Sequence, residues 1–78
     1  MSARVVLFTR QSCHLCDDAR VVVDAVCAYA DVAWVEQDVD ADPALKAQYG
    51  DEVPVVTVDG AVVGFWHINA ERLRLALA

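Results

Sequence analysis

The arrangement that most narrows the folds open to this chain is a cysteine pair set between an apolar run and a helical segment. Val5-Val6-Leu7-Phe8 precede Cys13-His14-Leu15-Cys16, and helical periodicity begins at the pair. The near-continuous apolar run over 4–9 reads as a strand buried on both faces of a sheet. From Cys13 to about Tyr29 the apolar residues fall at Ala19, Val22, Val23, Val26, Cys27 and Ala30, which is one stripe of an α-helix. Val21-Val22-Val23 favour strand locally, but the longer period is better satisfied by a helix. Asp17, Arg20 and Asp24 lie on the other side, at spacings that allow ion pairs along it. A C-x-x-C pair in this context, within a β-α-β order, reads as a thiol–disulfide exchange site.

Composition trims the alternatives. A chain of 78 residues, 58% of them hydrophobic, is expected to form one domain over 1–78. Three cysteines are too few, and odd in number, for a secreted disulfide framework, so a reducing, cytoplasmic setting is expected. The short apolar run between Arg4 and Arg10 does not read as a signal peptide, and no stretch approaches the ~20 apolar residues of a membrane helix. With 12 acidic and 6 basic residues the net charge is −6, which argues against a grip on nucleic acid phosphates. No membrane partner is expected, and the acidic excess reads as a solvated surface.

Further along, Val32 to Val39 reads as a second strand that turns polar at Glu36-Gln37-Asp38. Asp42 suits an N-cap and Pro43 the first helical position, so a short helix through Tyr49 is expected, ended by Gly50 in the left-handed C′ role. Val55-Val56-Thr57-Val58 form a third strand. Asp59-Gly60 signals a two-residue hairpin into a fourth, starting at Ala61 and continuing towards Trp66. Asn69 is placed to cap a last helix, with Ile68 and Leu73 as a hydrophobic staple and Glu71 in the first turn. The order is β-α-β-α-β-β-α, with the first two strands parallel and the hairpin antiparallel. Asp38, Asp40 and Asp42 alternate, but no glycine or terminal glutamate follows at calcium-loop spacing, so they read as a loop with a helix cap.

Thr9 to Cys16 after the first strand, the element order, Val53-Pro54 before the third strand and the Asp59-Gly60 hairpin together resemble the glutaredoxin family. More narrowly, it looks like a bacterial branch of short glutaredoxin-like proteins that carry Cys-His-Leu-Cys-Asp. The resemblance implies an α/β, thioredoxin-like fold in which a four-stranded mixed sheet is flanked by three helices. It also implies a thiol–disulfide oxidoreductase, with Cys13 as nucleophile and Cys16 as resolving thiol. Arg10 matches a basic residue placed beside the thiolate and the glutathione carboxylate. Val53-Pro54 matches a segment whose proline is cis, faces the cysteines and offers its backbone to the substrate. Gly64-Phe65-Trp66-His67 stands where the family carries Gly-Gly-x-Asp, so dependence on glutathione is an open expectation.

The residues themselves support part of this assignment. A thiol at a helix N-terminus sees unsatisfied N–H groups and the positive end of the dipole, so Cys13 is the expected thiolate and Cys16 lies a turn deeper. Arg10 and a protonated His14 favour that thiolate, whereas Asp17 and Asp18 oppose it. Cys27 reads as a small core hydrophobe. Trp34 reads as a strand residue covering a sheet face, and Lys46, Arg72 and Arg74 as solvated surface. Trp66 and His67 either line the substrate cleft or leave Phe65 and Trp66 to pack under the last helix. No metal and no resident cofactor are expected; glutathione, another low-molecular-weight thiol or a reductase would supply electrons to a monomer acting on protein or small-thiol disulfides. The rival readings are a redox-inert adaptor that binds a protein partner and a metal or iron–sulfur module built on the cysteine pair.

Overall fold

Two strands buried on both faces form the centre of the protein, and the rest of the chain is layered on them. The computed structural model describes residues 3–78; Met1 and Ser2, included in the expected domain, lie outside them. In chain order the elements are β1 (Val5–Thr9), α1 (His14–Ala30), β2 (Trp34–Asp38), a 3₁₀ turn (Val39–Ala41), α2 (Pro43–Tyr49), β3 (Val55–Val58), β4 (Ala61–Phe65) and α3 (Ala70–Leu77). The sheet runs β2-β1-β3-β4, with β1 and β2 parallel and both other pairings antiparallel. This is the expected β-α-β-α-β-β-α fold, a four-stranded mixed sheet with three helices.

Side chains alternate across the central strands, and each face collects its own core. Val5, Leu7, Val56 and Val58 meet Ala19, Val23 and Cys27 of α1 and Leu73 of α3. On the other face Phe8 and Val55 meet Val39, with Leu45 and Tyr49 of α2 packed against them. Phe8 and Tyr49 stack at 4.6 Å between ring centroids. The run over 5–9 is thus continuous in hydrophobicity because both sides of β1 are covered.

The ends of the elements show why each stops where it does. Asp31 ends α1 in the left-handed conformation at φ 57. Its N–H donates to the Ala28 carbonyl and that of Val32 to the Cys27 carbonyl, the bond pattern of a Schellman cap. Asp42 caps α2 by accepting from the Ala44 N–H at 2.8 Å, with Pro43 at the first helical position. Asn69 accepts from the Arg72 N–H at 2.9 Å, and Ile68 packs against the cluster containing Leu73, as a staple requires. Asp59 (φ 52) and Gly60 (φ 86) form the hairpin turn, whose two positive φ angles match strand twist. Val63 is the extra residue of a bulge, because Val56 pairs with Gly64 while Thr57 pairs with Val62.

Several expected details are corrected. The second strand is Trp34–Asp38, not Val32 to Val39: Val32 belongs to the α1 cap, and Val39 turns inward to the core as the 3₁₀ turn begins. This strand lies at the sheet edge, so Val35, Glu36, Gln37 and Asp38 are exposed. Gly50 is right-handed (φ −55, ψ −35), not left-handed. Its lack of a side chain serves close approach, since an added Cβ would stand 2.5 Å from the Lys46 carbonyl oxygen. The fourth strand ends at Phe65, one residue before Trp66. Ala30 is exposed, leaving the apolar stripe of α1 to end at Cys27. Among the described residues no helix is long and apolar enough to cross a membrane.

Candidate functional site

β1 delivers the chain to the site and α1 receives it. Thr9, the last residue of β1, is buried, and its hydroxyl donates to a Glu36 carboxylate oxygen at 2.8 Å. Ser12 then adopts φ 58, which turns the backbone into the helix. Cys13 occupies the N-cap of α1, a position normally taken by an oxygen-bearing side chain. Its sulfur accepts the backbone N–H of Cys16 at 3.1 Å, and its carbonyl accepts that of Asp17 at 3.2 Å.

The two sulfurs are joined as a disulfide across a Cα–Cα separation of 5.2 Å, within the usual range for such bonds. Their exposures differ: Cys13 is partly accessible, whereas Cys16 is completely buried. Only Cys13 is open to an incoming disulfide. The same N–H that caps the sulfur, together with the helix dipole, favours negative charge there once the bond is reduced.

A cleft of about 330 Å³ opens beside Cys13 and is lined by Arg10, His14, Asp17 and Arg20 among others. Arg10 shares this cleft, but its guanidinium is engaged elsewhere. Nε and Nη2 donate to Asp40 at 3.2 and 2.7 Å, and Nη1 to the Gly50 carbonyl at 3.1 Å. Those hydrogen bonds hold the Asp40 carboxyl below its usual range. Arg10 therefore binds the loop before Cys13 to the 3₁₀ turn and the end of α2. Arg20 forms a similar bridge, pairing with Asp17 on its own helix and with Glu36 on β2.

The remaining expected site residues fall into two further places. The Val53–Pro54 peptide is cis; Pro54 is buried, and Val53 packs against the Phe8 cluster. The Pro54 carbonyl accepts from the Trp66 N–H at 2.9 Å, linking this segment to the end of β4. Trp66 and His67 border a separate hollow with Leu15, Asp18 and Val22 of α1. Phe65, Trp66 and His67 are all exposed, so Phe65 and Trp66 do not pack under α3 as core. His14 and His67 consequently lie in different depressions. Among the described residues no three His, Cys, Asp or Glu side chains cluster in a way that could hold a metal ion. Arg20 and Glu36 were not among the expected site residues. Their only sequence signal is Arg20 three positions after Asp17; the partner on β2 depends on the parallel pairing of β1 and β2.

Cys27 is the third thiol and belongs to the core, 1% exposed. Burial, with a smaller contribution from Asp24, pushes it above the usual thiol range.

A parallel-antiparallel sheet with an N-capping cysteine joined to a second one turn deeper defines the class: a thioredoxin-fold thiol–disulfide oxidoreductase. Within that class, the chain belongs to the glutaredoxin-like domain family (DUF836), whose match spans residues 4–78. Uncharacterized protein Rv0508 of Mycobacterium tuberculosis is 30% identical over 82 residues, covering 96% of this chain and 82% of that one. The crystal structure of protein XcR50 from X. campestris is 34% identical with a TM-score of 0.76, covering 94% of this chain and 93% of that one. Fasciola hepatica thioredoxin is 26% identical with a TM-score of 0.62, over 97% of this chain and 80% of that one.

Proposed function

We propose that Cys13 is the attacking thiolate and Cys16 the resolving thiol of a glutaredoxin-like oxidoreductase acting on protein or small-thiol disulfides. The observation that carries this reading is the partly accessible Cys13 sulfur at the N-cap of α1, bonded to a fully buried Cys16. Reduced Cys13 attacks one sulfur of the substrate disulfide, forms a new S–S bond and expels the other sulfur as a thiolate. Cys16 gives up its proton and attacks the Cys13 sulfur. The mixed disulfide breaks, the second substrate sulfur leaves as a thiolate, and the Cys13–Cys16 bond forms. Two electrons have passed to the substrate. Glutathione, another low-molecular-weight thiol or a reductase returns them.

Arg10 in this reading positions the Cys13 loop through Asp40 and Gly50, and His14 stands at the mouth of the cleft. The Val53 and Pro54 segment is assigned to the substrate backbone on the family resemblance. Cysteine usage favours the cytoplasm, and the protein acts as a monomer built from one domain over 1–78.

An anaerobic redox titration, read by mass after thiol alkylation, tests the assignment. Cys13 and Cys16 are expected to convert together as one two-electron couple between roughly −120 and −270 mV. The Cys16→Ser variant should accumulate the substrate on Cys13 as a stable mixed disulfide. Independent titration of the two thiols, or capture of substrate on another cysteine, defeats the assignment.

A further inference from the structure

We infer that Trp66 is a specificity-determining residue of the disulfide site, and that the substrate is a polypeptide disulfide flanked by an apolar side chain. This inference rests on the oxidoreductase reading of Cys13 and Cys16. Trp66 follows β4 at φ 60, a left-handed conformation in which a bulky L residue is strained and persists only where its surroundings hold it. Its backbone N–H donates to the Pro54 carbonyl at 2.9 Å and the Glu52 carbonyl at 3.3 Å. Its indole N–H donates to the Asp51 carbonyl at 3.3 Å. Both donors of the residue are spent on its own chain, and all three bonds run to the segment that ends at Pro54.

This geometry leaves Trp66 51% exposed, its ring edge-on to Phe65 at 5.4 Å between centroids. The indole borders the hollow that contains Leu15, the residue immediately before Cys16. An aromatic surface without a free donor therefore stands opposite Leu15, in a hollow separate from the cleft at Cys13. The two are linked through the adjacent carbonyls of Gly50, which Arg10 bonds, and Asp51, which the indole bonds. Charge points to the same class of occupant. Arg10 and Arg20 are neutralised by Asp40, Asp17 and Glu36. Asp18, Asp51 and Glu52 are exposed, and none forms an ion pair among the described residues. Asp51 lies near enough to Arg10 to help hold that guanidinium protonated, yet carboxylates outnumber cations here, so a small carboxylate-bearing disulfide meets net negative charge. An apolar side chain next to a peptide disulfide meets the indole and Leu15, and loses water on contact.

The test uses the pre-reduced full chain in single turnover, followed by quenching and mass analysis of alkylated thiols. The probes are two synthetic peptides with one intramolecular disulfide each, flanked by Phe in one and by Gly in the other, and oxidised glutathione. The Phe peptide should half-saturate the protein at a concentration about five- to tenfold below the Gly peptide, the effect of one aromatic contact. Oxidised glutathione should require more than either. Trp66→Ala should erase the difference by raising half-saturation for the Phe peptide, with the loss falling there and not on the saturating rate. Trp66→Phe, which keeps the ring but lacks the indole N–H, should retain most of it. Equal treatment of the two peptides by the native chain, a preference for glutathione, or an equal slowing of both peptides in Trp66→Ala overturns the inference while leaving the oxidoreductase intact. Failure of all three disulfides to oxidise the pair overturns both.

Discussion

Cys13 and Cys27 are the same side chain in opposite circumstances, and the contrast shows how position alone assigns chemistry. Cys13 caps a helix where N–H groups stabilise negative charge, whereas Cys27 is enclosed by Val and Leu and is held protonated by burial. Glu36 shows the same dependence for a carboxyl. Hydrogen bonds from Arg20, then from Thr9, hold it below the usual glutamate range against the cost of desolvation. A depressed folded-state pKa means that its stabilisation is complete above the ordinary glutamate value near ~4.3 and is lost as pH falls through the lower folded value. Glu36→Gln should therefore lower the urea midpoint at neutral pH and converge with the native chain in acid. A constant offset across that range would contradict the assignment. The conformation of Trp66 was not legible in the sequence: nothing local to Gly64-Phe65-Trp66-His67 reveals that the Pro54 and Glu52 carbonyls will hold it left-handed.

At the scale of elements, periodicity and caps were readable because they are local. Asp42 with Pro43, Asn69 with Ile68, and Asp59 with Gly60 each act within a few residues, and each appears where its chemistry predicts. The failures have two sources, a distant partner and the preceding turn of helix. Val39 leaves the strand pattern because the Phe8 core draws it inward, and Gly50 approaches Lys46 instead of reversing the backbone. Strand β2 looks more hydrophobic at its start than its edge position needs, since Trp34 leans on the α1 side of the sheet and donates to Asp24. Helix α3 is anchored chiefly by the fully buried Leu73, with Ala76 and Leu77 packed against the same core. Leu73→Ala should cost about 2–5 kcal/mol in urea unfolding. A loss below about 1 kcal/mol would mean that the helix is held by something other than this side chain.

For the whole molecule, the two cores divide the labour. The α1 and α3 side of the sheet holds the cysteine-bearing helix, while the α2 side supports the loops that Arg10 ties together. The Cys13–Cys16 bond closes a loop with a separation of three residues, so it restricts the unfolded chain little. The loop-entropy estimate is about 2 kcal/mol, and stabilisation of the reduced thiolate works against it. Oxidised and reduced protein should therefore differ by no more than about 2 kcal/mol in matched urea titrations with and without reductant. A larger gap would mark the bond as a structural staple and not one that cycles. The architecture and the cysteine pair were legible in the sequence because strand, thiol and helix follow one another without interruption. The bridge from Arg20 to Glu36 was not, because it exists only after β1 and β2 pair.

The Asp59-Gly60 hairpin sits at the opposite end of the sheet from the cysteines. Arg4, just before β1, clasps Asp59 with two hydrogen bonds of 3.0 Å, while Cys13 follows the far end of that strand. Five strand residues at ~3.3 Å each separate the poles by roughly 17 Å. Open space surrounds Gly60, but its φ of 86 strains any L side chain placed there, whereas the neighbouring Ala61 is exposed on ordinary strand backbone. The protein therefore has a built-in handle: a fluorophore, an electrode tether or a grafted recognition loop attached beside this turn would sit a strand's length away from Cys13 and leave its cleft uncovered.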